Sequence, residues 1–507
     1  MMRRRVAVTL LAGLAAMMPL SLGAATPTDV VVISPGQDIQ PVVDAHLPGT
    51  SYLLRPGTHR LQSIQPKDGD SFTGQFGALM SGAVELEGFA QRGGYWLTPA
   101  PRASAAPTGR CAQDRHGSNT DICTYLEDLF IDSKPLRRVG ALDALGPGAW
   151  YFDYEQSAVY LGDDPRGRKV ELSVARRAFY GAARNVIISG LIVEKYASPA
   201  QSGAIQGDAG SAWTIRHNEI RLNHGAGIRT GAAMRIVDNR IHHNGQIGLV
   251  GQGDNIQIVG NILSHNNYAG FSPSWEAGGA KLVKTTNLVV RGNCVHNNDG
   301  TGLWTDISNM NSLYEGNRVF ANAGEGIHHE ISYDAVIRGN TVFDNGHGTN
   351  SWLFGAQILI STSQNVEVYD NHVDVARKYG EGIVLIQQER GDGRYGTWKT
   401  SGNRVHDNFI IYRGHKGVSG AAGDFDNEAL FSSGNQFNGN RYRALKADEA
   451  HWAWGEAVEH RARYRTWPEL LKSGQELEGR LEIRLAKTLA RRCGKMTAGP
   501  ALKRAAD

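Results

Sequence analysis

Between Ile215 and Arg413 one pattern of apolar and polar positions recurs eight times in a fixed register. Each repeat is anchored by an asparagine: Asn218, Asn239, Asn261, Asn293, Asn317, Asn340, Asn371 and Asn408. Three residues before the anchor stands a β-branched or aromatic residue: Ile215, Ile236, Ile258, Val290, Tyr314, Ile337, Val368 and Val405. Two residues after it stands an aliphatic: Ile220, Ile241, Leu263, Val295, Val319, Val342, Val373 and Ile410. Six repeats add a second asparagine: Asn223, Asn244, Asn266, Asn298, Asn322 and Asn345. Successive anchors lie 21, 22, 32, 24, 23, 31 and 37 residues apart. A helix-pair repeat needs roughly 33 residues and apolar spacings of three and four. The short steps and β-branched positions instead predict coils of three short strands, with loops inserted in some turns. The predicted fold is therefore all-β, a parallel β-helix. Strands of successive coils pair about 4.8 Å apart. The aliphatics stack inward, and the asparagines occupy turns, where their side chains bond nearby backbone and form ladders. That regularity suits a ladder rather than a catalytic site. The nearby histidines (His217, His224, His242, His243, His265, His296) fall on turns and read as surface residues.

Outside the repeats the rhythm changes. Residues 26–87 read as an N-terminal cap and the first coils, with Ile39–Leu47 a short helix over the open end. Residues 88–174 hold strand-like pieces at Leu129–Asp132, Ala149–Asp153, Ala158–Leu161 and Val170–Val174, which predict an inserted antiparallel module. Residues 175–443 form the main helix. In 444–507, Ala444–Arg463 and Trp467–Leu471 read as helical, a C-terminal cap. Residues 1–25 read as a cleavable signal: Arg3, Arg4 and Arg5, an apolar run from Val6 to Leu22, then small residues to Ala25. An exported protein, secreted or periplasmic, without a membrane span in the mature chain is expected. With 507 residues, a net charge of only +3 and 62 glycines, the chain suits a turn-rich solenoid and gives no sign of a nucleic-acid partner. Export permits disulfides. Cys111 and Cys123 flank a short polar loop and are the expected pair, while Cys294 is expected as a buried free thiol. No zinc spacing is present.

Nine residues beyond the anchor, five coils place glycine (Gly227, Gly248, Gly270, Gly302, Gly326), each followed by an apolar residue expected to face inward: Ile228, Leu249, Phe271, Leu303 and Ile327. Strand alternation then turns the second and fourth positions after the glycine outward. The fourth position carries Asp306 and Glu330 on neighbouring coils, about one strand spacing (~5 Å) apart. The second carries Trp304 and His328. Two close carboxylates split their pKa values and can serve as acid and base. Retaining glycoside hydrolysis asks for carboxyls about 5–5.5 Å apart. Trp304 offers a flat face for a sugar, and His328 or His329 a hydroxyl partner. Extra loops at Trp275–Thr286, Gly346–Trp352 and Gln387–Lys399 surround this patch and would deepen it into a cleft. Trp275, Glu276 and Lys281 lie on the first. Arg390, Arg394, Trp398 and Lys399, on the third, could meet an acidic sugar or be plain surface. Other readings of the stacked acids are a calcium site or a solvated face.

Coils such as Val290–Val295 and Ile337–Val342 resemble those of right-handed parallel β-helix proteins of the pectate-lyase-like superfamily. That resemblance implies carbohydrate chemistry and an oligo- or polysaccharide substrate. Gly302–Asp306 and Gly326–Ser332 also resemble the catalytic coils of β-helical family 120 glycoside hydrolases, the β-xylosidases. This resemblance implies Asp306 as nucleophile and Glu330 as acid/base, with no cofactor. The alternatives are a polysaccharide lyase on a uronic-acid polymer, assisted by calcium with Lys281 or Lys284 as base, and a non-catalytic glycan-binding β-helix.

Overall fold

The computed structural model describes residues 30–103, 106–113, 121–349, 352–455, 464–484 and 488–493. The expected signal segment lies outside these. Among the described residues no helix is long and apolar enough to cross a membrane.

Three long sheets of 13, 12 and 13 strands run the length of a solenoid, and successive coils pair in parallel throughout its body. Each repeat contributes one strand to each sheet. Ile215 pairs with Ile236 and Ile220 with Ile241, and the same register continues through Val290↔Tyr314 and Val295↔Val319. The aliphatics predicted inward form one core, with Ile220, Ile241, Leu263, Val295, Val319, Val342, Val373 and Ile410 fully buried.

The asparagines stack as expected. From Asn218 each side-chain amide donates to the Oδ1 of the next anchor, through Asn408 to Asn440, and Asn440 donates to Glu476 Oε1, all at 2.7–3.1 Å. The second ladder runs from Asn223 to Asn345 and ends on Gln357. The left-handed backbone falls not on the asparagines but on the residue before each anchor: His217, Asp238, Gly260, Gly292, Gly316, Gly339, Asp370 and Asp407 all have φ between 53° and 69°. The sharp corner is thus made one residue early, and the asparagine fills the space beneath it.

A helix at Ile39–Ala45 covers the first coil. The inserted module contains a five-stranded and a four-stranded sheet around its own small core, which includes Trp150, Phe152, Val159 and Leu172. It is anchored by Ala83–Glu85, which pairs with Val170–Ser173. His224 is buried rather than at the surface: its ring nitrogens contact Asp128 Oδ2 (3.1 Å) and the Cys123 carbonyl (3.0 Å), tying the module to the solenoid.

Two expectations at the C-terminal end change. Trp467–Lys472 is helical, but Arg441–Ala444, Trp452–Trp454 and Arg480–Ile483 are strands that join the solenoid sheets. The alternating Trp452 and Trp454 bury against the last coils, which a helix would not allow for both. Residues 456–463 of the predicted helix lie outside the described residues. Cys294 is not a free thiol. It is bonded to Cys493, while Cys111 pairs with Cys123 as expected.

Candidate active site

The site lies on the outer face of the 12-stranded sheet. Its strands include, in spatial order, Ile247–Asp254, Gly278–Thr286, Thr301–Asp306, Ile327–Glu330, Ala356–Ser361 and Glu381–Gln387. Leu303 pairs with Ile327, Trp304 with His328 and Thr305 with His329. Asp306 and Glu330 follow on the outward side, one coil apart. The inward line of Leu249, Leu303 and Ile327 is buried in the core.

The third coil departs from the predicted register. Its sheet strand is Gly278–Thr286, with Ala280 opposite Leu249 and Leu303. Gly270 and Phe271 belong instead to an inserted turn, and Phe271 packs under the module beside Cys123, Ala200 and Ala277. Trp275 and Glu276 lie on a one-turn helix, Pro273–Glu276. Trp275–Thr286 is therefore mostly strand rather than loop. The correction adds a site residue to the stack, because Lys281 takes the outward position opposite Trp304 and Val283 pairs with Asp306.

Lys281, Trp304 and His328 form a three-layer stack. The Lys281 Nζ sits 3.7 Å from the Trp304 ring centre, and His328 lies parallel to the indole on the next coil, 5.5 Å between centroids. Both faces of Trp304 are covered, so the indole does not supply the open sugar platform expected of it. Its edge acts instead: Nε1 donates to Glu330 Oε2 at 3.0 Å. Lys281 Nζ also lies 2.9 Å from Asp306 Oδ2 and donates to the Trp275 carbonyl at 3.0 Å. Arg390, on the loop after Gln387, caps Glu330 through Oε1. His328 Nε2 lies 3.0 Å from Ser361 Oγ and 3.9 Å from Glu330 Oε2.

His329 is misplaced by the sequence reading. It points inward, is fully buried, and its ring nitrogens contact Thr305 Oγ1 (2.8 Å) and the Tyr333 carbonyl (3.2 Å). Burial holds its pKa down at about 4. It is a neutral core residue and no ligand for a sugar.

Asp306 and Glu330 are both nearly buried, yet each lines a pocket. Glu330, Trp304 and His328 line one of about 700 Å³, walled by Pro273 and Ser274 on one side and Gly348, Thr349 and Phe354 on the other. Asp306 lines an adjoining pocket of about 370 Å³ with Trp275, Glu276, Lys281, Gln201, Arg229 and Gln252. Of these two pockets, Gly346–Trp352 reaches only that of Glu330, through Gly348 and Thr349, and Trp275–Thr286 lines only that of Asp306, so the two segments do not wall one cleft around Asp306 as the sequence predicts. Burial raises the Asp306 pKa, as does the Glu330 charge, against the pull of Lys281. For Glu330 burial also pushes upward, but His328, Arg390 and Lys281 outweigh it and the net direction is downward. Glu276 is raised by burial, against Lys281 and a 2.6 Å bond from Gln201 Nε2. Asp306 Oδ1 is buried and has no hydrogen-bond partner. Two adjoining carboxyls, one with an unengaged oxygen, can divide nucleophilic and proton-transfer work.

Of the residues singled out in the sequence, Trp304, Asp306, His328, Glu330, Trp275, Glu276 and Lys281 converge here. Arg394 and Lys399 have exposed side chains, although the Arg394 backbone amide donates to Ser308 Oγ at 3.0 Å. Gln201, Arg229, Glu325 and Phe354 were not foreseen. Gln201, Glu325 and Phe354 come from turns, which carry no repeat signal, whereas Arg229 holds the repeat's second outward position on the strand Ala226–Thr230.

Residues 203–373 match the family model described as right handed beta helix region. No curated protein matches the chain. Among solved structures, XylC in complex with xylose aligns with a TM-score of 0.69 over 91% of this chain and 87% of that one, at 14% identity. A glycoside hydrolase aligns with a TM-score of 0.50 over 70% of this chain and 94% of that one, at 10% identity. At such identities the likeness is one of fold, and the fold is a right-handed parallel β-helix.

Proposed function

We propose that this protein is an exported carbohydrate-active enzyme, a glycoside hydrolase that retains anomeric configuration through Asp306 and Glu330. The observation that carries this reading is the pair itself: two carboxyls at one register position on adjacent coils, each lining a pocket of its own, the first with an oxygen that has no hydrogen-bond partner. The fold shared with XylC and with a glycoside hydrolase supports it. The xylose bound by XylC makes a pentose-bearing glycan the first substrate to try.

An Asp306 carboxylate oxygen, uncovered as the sugar enters, attacks the anomeric carbon, while Lys281 neutralises part of the carboxylate charge. Glu330 protonates the leaving oxygen, then takes a proton from the water that frees the glycosyl–Asp306 ester. The groups around the two carboxyls set them the other way round, with Asp306 raised and Glu330 lowered. Arg390 is the removable part of that arrangement. A sugar that displaces it from Glu330 raises Glu330 and leaves the proton where the acid needs it, with Asp306 ionised beside Lys281. These pKa directions favour a second reading, in which Glu330 is the nucleophile and Asp306 the acid. Turnover of aryl glycosides separates the two. The variant of the acid keeps activity on leaving groups that need little protonation, and the variant of the nucleophile does not.

The lyase alternative would draw on Lys281 or Lys284 as base; Lys281 is already engaged by Asp306, the Trp275 carbonyl and the Trp304 face, and Lys284 is exposed and lines neither carboxyl pocket. For a calcium ion to rest on Asp306 and Glu330, Lys281 and Arg390 would have to leave. A panel of polysaccharides and aryl glycosides tests the whole reading. Reducing sugar without ultraviolet-absorbing product supports a hydrolase, unsaturated product a lyase, and binding without turnover a glycan-binding protein.

A further inference from the structure

The pocket of Glu330 does not end at the carboxyls. Thr349 and Phe354 line both it and a second pocket of about 250 Å³, which Lys378, Glu381, Lys416 and Tyr464 complete. Lys378 and Lys416 in turn line a third, of about 490 Å³, together with Arg377 and His415. The shared residues make these depressions neighbours along the surface. Their order follows from the solenoid. Glu325 precedes the strand Ile327–Glu330, Phe354 precedes Ala356–Ser361, Lys378 precedes Glu381–Gln387, and Lys416 precedes Ser419–Gly423. These four strands are neighbours in one sheet. The same turn on four successive coils therefore forms one groove along the solenoid axis, about 14 Å long over three coil spacings.

The charge of the groove changes along its length. At the carboxyl end stand Glu330 and Glu325, the latter accepting from Thr301 Oγ1 and the Gly355 amide. At the far end stand Arg377, Lys378, Lys416 and His415, all exposed. Among the described residues, the side chains of Arg377 and Lys378 have neither a hydrogen bond nor an ion pair. Among the described residues, the acids that contact this end are already engaged or partly neutral. Glu449 is taken by His415 and His451. Glu381 is raised to about 7 by burial, against a bond from the Val418 amide and the charge of Lys416, so it offsets the cations only in part near neutrality. In a protein of net charge +3 this is a local concentration of unsatisfied positive charge at the end of a concave track.

We propose that this groove binds a carboxylate-bearing glycan chain, with uronic-acid groups of the chain against Arg377, Lys378 and Lys416 while a neutral linkage lies at Asp306 and Glu330. The proposal rests on the hydrolase reading for the second half only. The cationic track selects the polymer, and the carboxyl pair, which would repel an acidic ring, selects the bond.

Binding tests it separately from turnover. The Asp306→Asn chain is titrated with hexagalacturonate and, in parallel, with neutral cellohexaose. The expected result is affinity for the uronate at least tenfold tighter, weakening as salt is raised from about 0.05 to 0.5 M. Lys378→Ala with Lys416→Ala, both exposed positions, should remove that difference, and the double glutamate variant should reverse it. Equal affinities, no binding of the uronate, or charge-selective binding that survives both double variants would overturn the proposal. Undiminished turnover by Asp306→Asn would instead count against the hydrolase reading and leave the groove standing.

Discussion

Arg390 holds Glu330: the guanidinium caps Oε1 while the Trp304 indole occupies Oε2. Each carboxyl oxygen thus accepts from a donor that favours the ionised form. Burial drives the Glu330 pKa up, and His328, Arg390 and Lys281 together drive it further down. Replacing Arg390 by Gln removes one downward pull. If Glu330 is the acid, activity falls as pH rises through its pKa, so the alkaline limb of the kcat/KM profile should move to higher pH in Arg390→Gln. A limb that stays put or moves down would argue that Glu330 is not the protonated partner.

His329 gives a stability prediction with a definite sign. Its folded pKa is near 4, against an ordinary value of 6.5. Between those values the unfolded chain takes a proton that the folded chain refuses, so its contribution is present above about pH 6.5 and is lost as pH falls toward 4. His329→Gln does not titrate. Its cost relative to the native chain should therefore be greatest at pH 7.5 and shrink at pH 4.5, by up to about 3 kcal/mol at 1.36 kcal/mol per pKa unit. Paired denaturant melts at the two pH values read this directly. A constant difference would mean that His329 is not held neutral in the core.

The ladder predicts a large loss from a small change. Asn317 Oδ1 accepts from both the backbone and the side-chain amide of Asn293, and its own Nδ2 donates to the Val290 carbonyl and to Asn340. Asn317→Ala leaves several of these buried groups unpaired and should cost about 3 kcal/mol or more. Arg235→Ala, at an exposed strand position of the solenoid, should stay within about 0.5 kcal/mol. Equilibrium unfolding of the two variants gives the comparison, and similar losses would remove the ladder from the account of stability.

Much of this architecture is written locally. A coil repeats its corner, its asparagine and its inward aliphatic, so register follows from counting, and Asp306 falls beside Glu330 by that count alone. Counting failed where an insertion imitated the pattern. Gly270–Phe271 copies the glycine–apolar pair, whereas the true strand begins eight residues later at Gly278, and Lys281 was therefore read as a loop residue. His329 could have been excluded, because alternation places it inward beside Thr305. The Cys294–Cys493 bond joins residues 199 apart and has no local signal. The covered faces of Trp304 and the Arg390 contact depend on side chains from three coils and a loop, which no repeat specifies.

The register of Asp306 and Glu330 fixes an expected stereochemical outcome. Carboxyls carried at one outward position on adjacent coils are separated by about one strand spacing, near 5 Å. That leaves no room for the water that an inverting enzyme places between its base and the sugar, which needs about 6.5–9.5 Å. The first product released should keep the anomeric configuration of the substrate, as seen by proton NMR before mutarotation. Asp306→Asn should lose at least a thousandfold in kcat, because the covalent step has no other nucleophile. Glu330→Gln should lose far less on substrates with highly activated leaving groups, and added azide should restore its second step as a glycosyl azide of retained configuration. The opposite pattern, with Glu330→Gln silent and Asp306→Asn rescued by azide, would exchange the two roles. An inverted product would reject the shared mechanism for both.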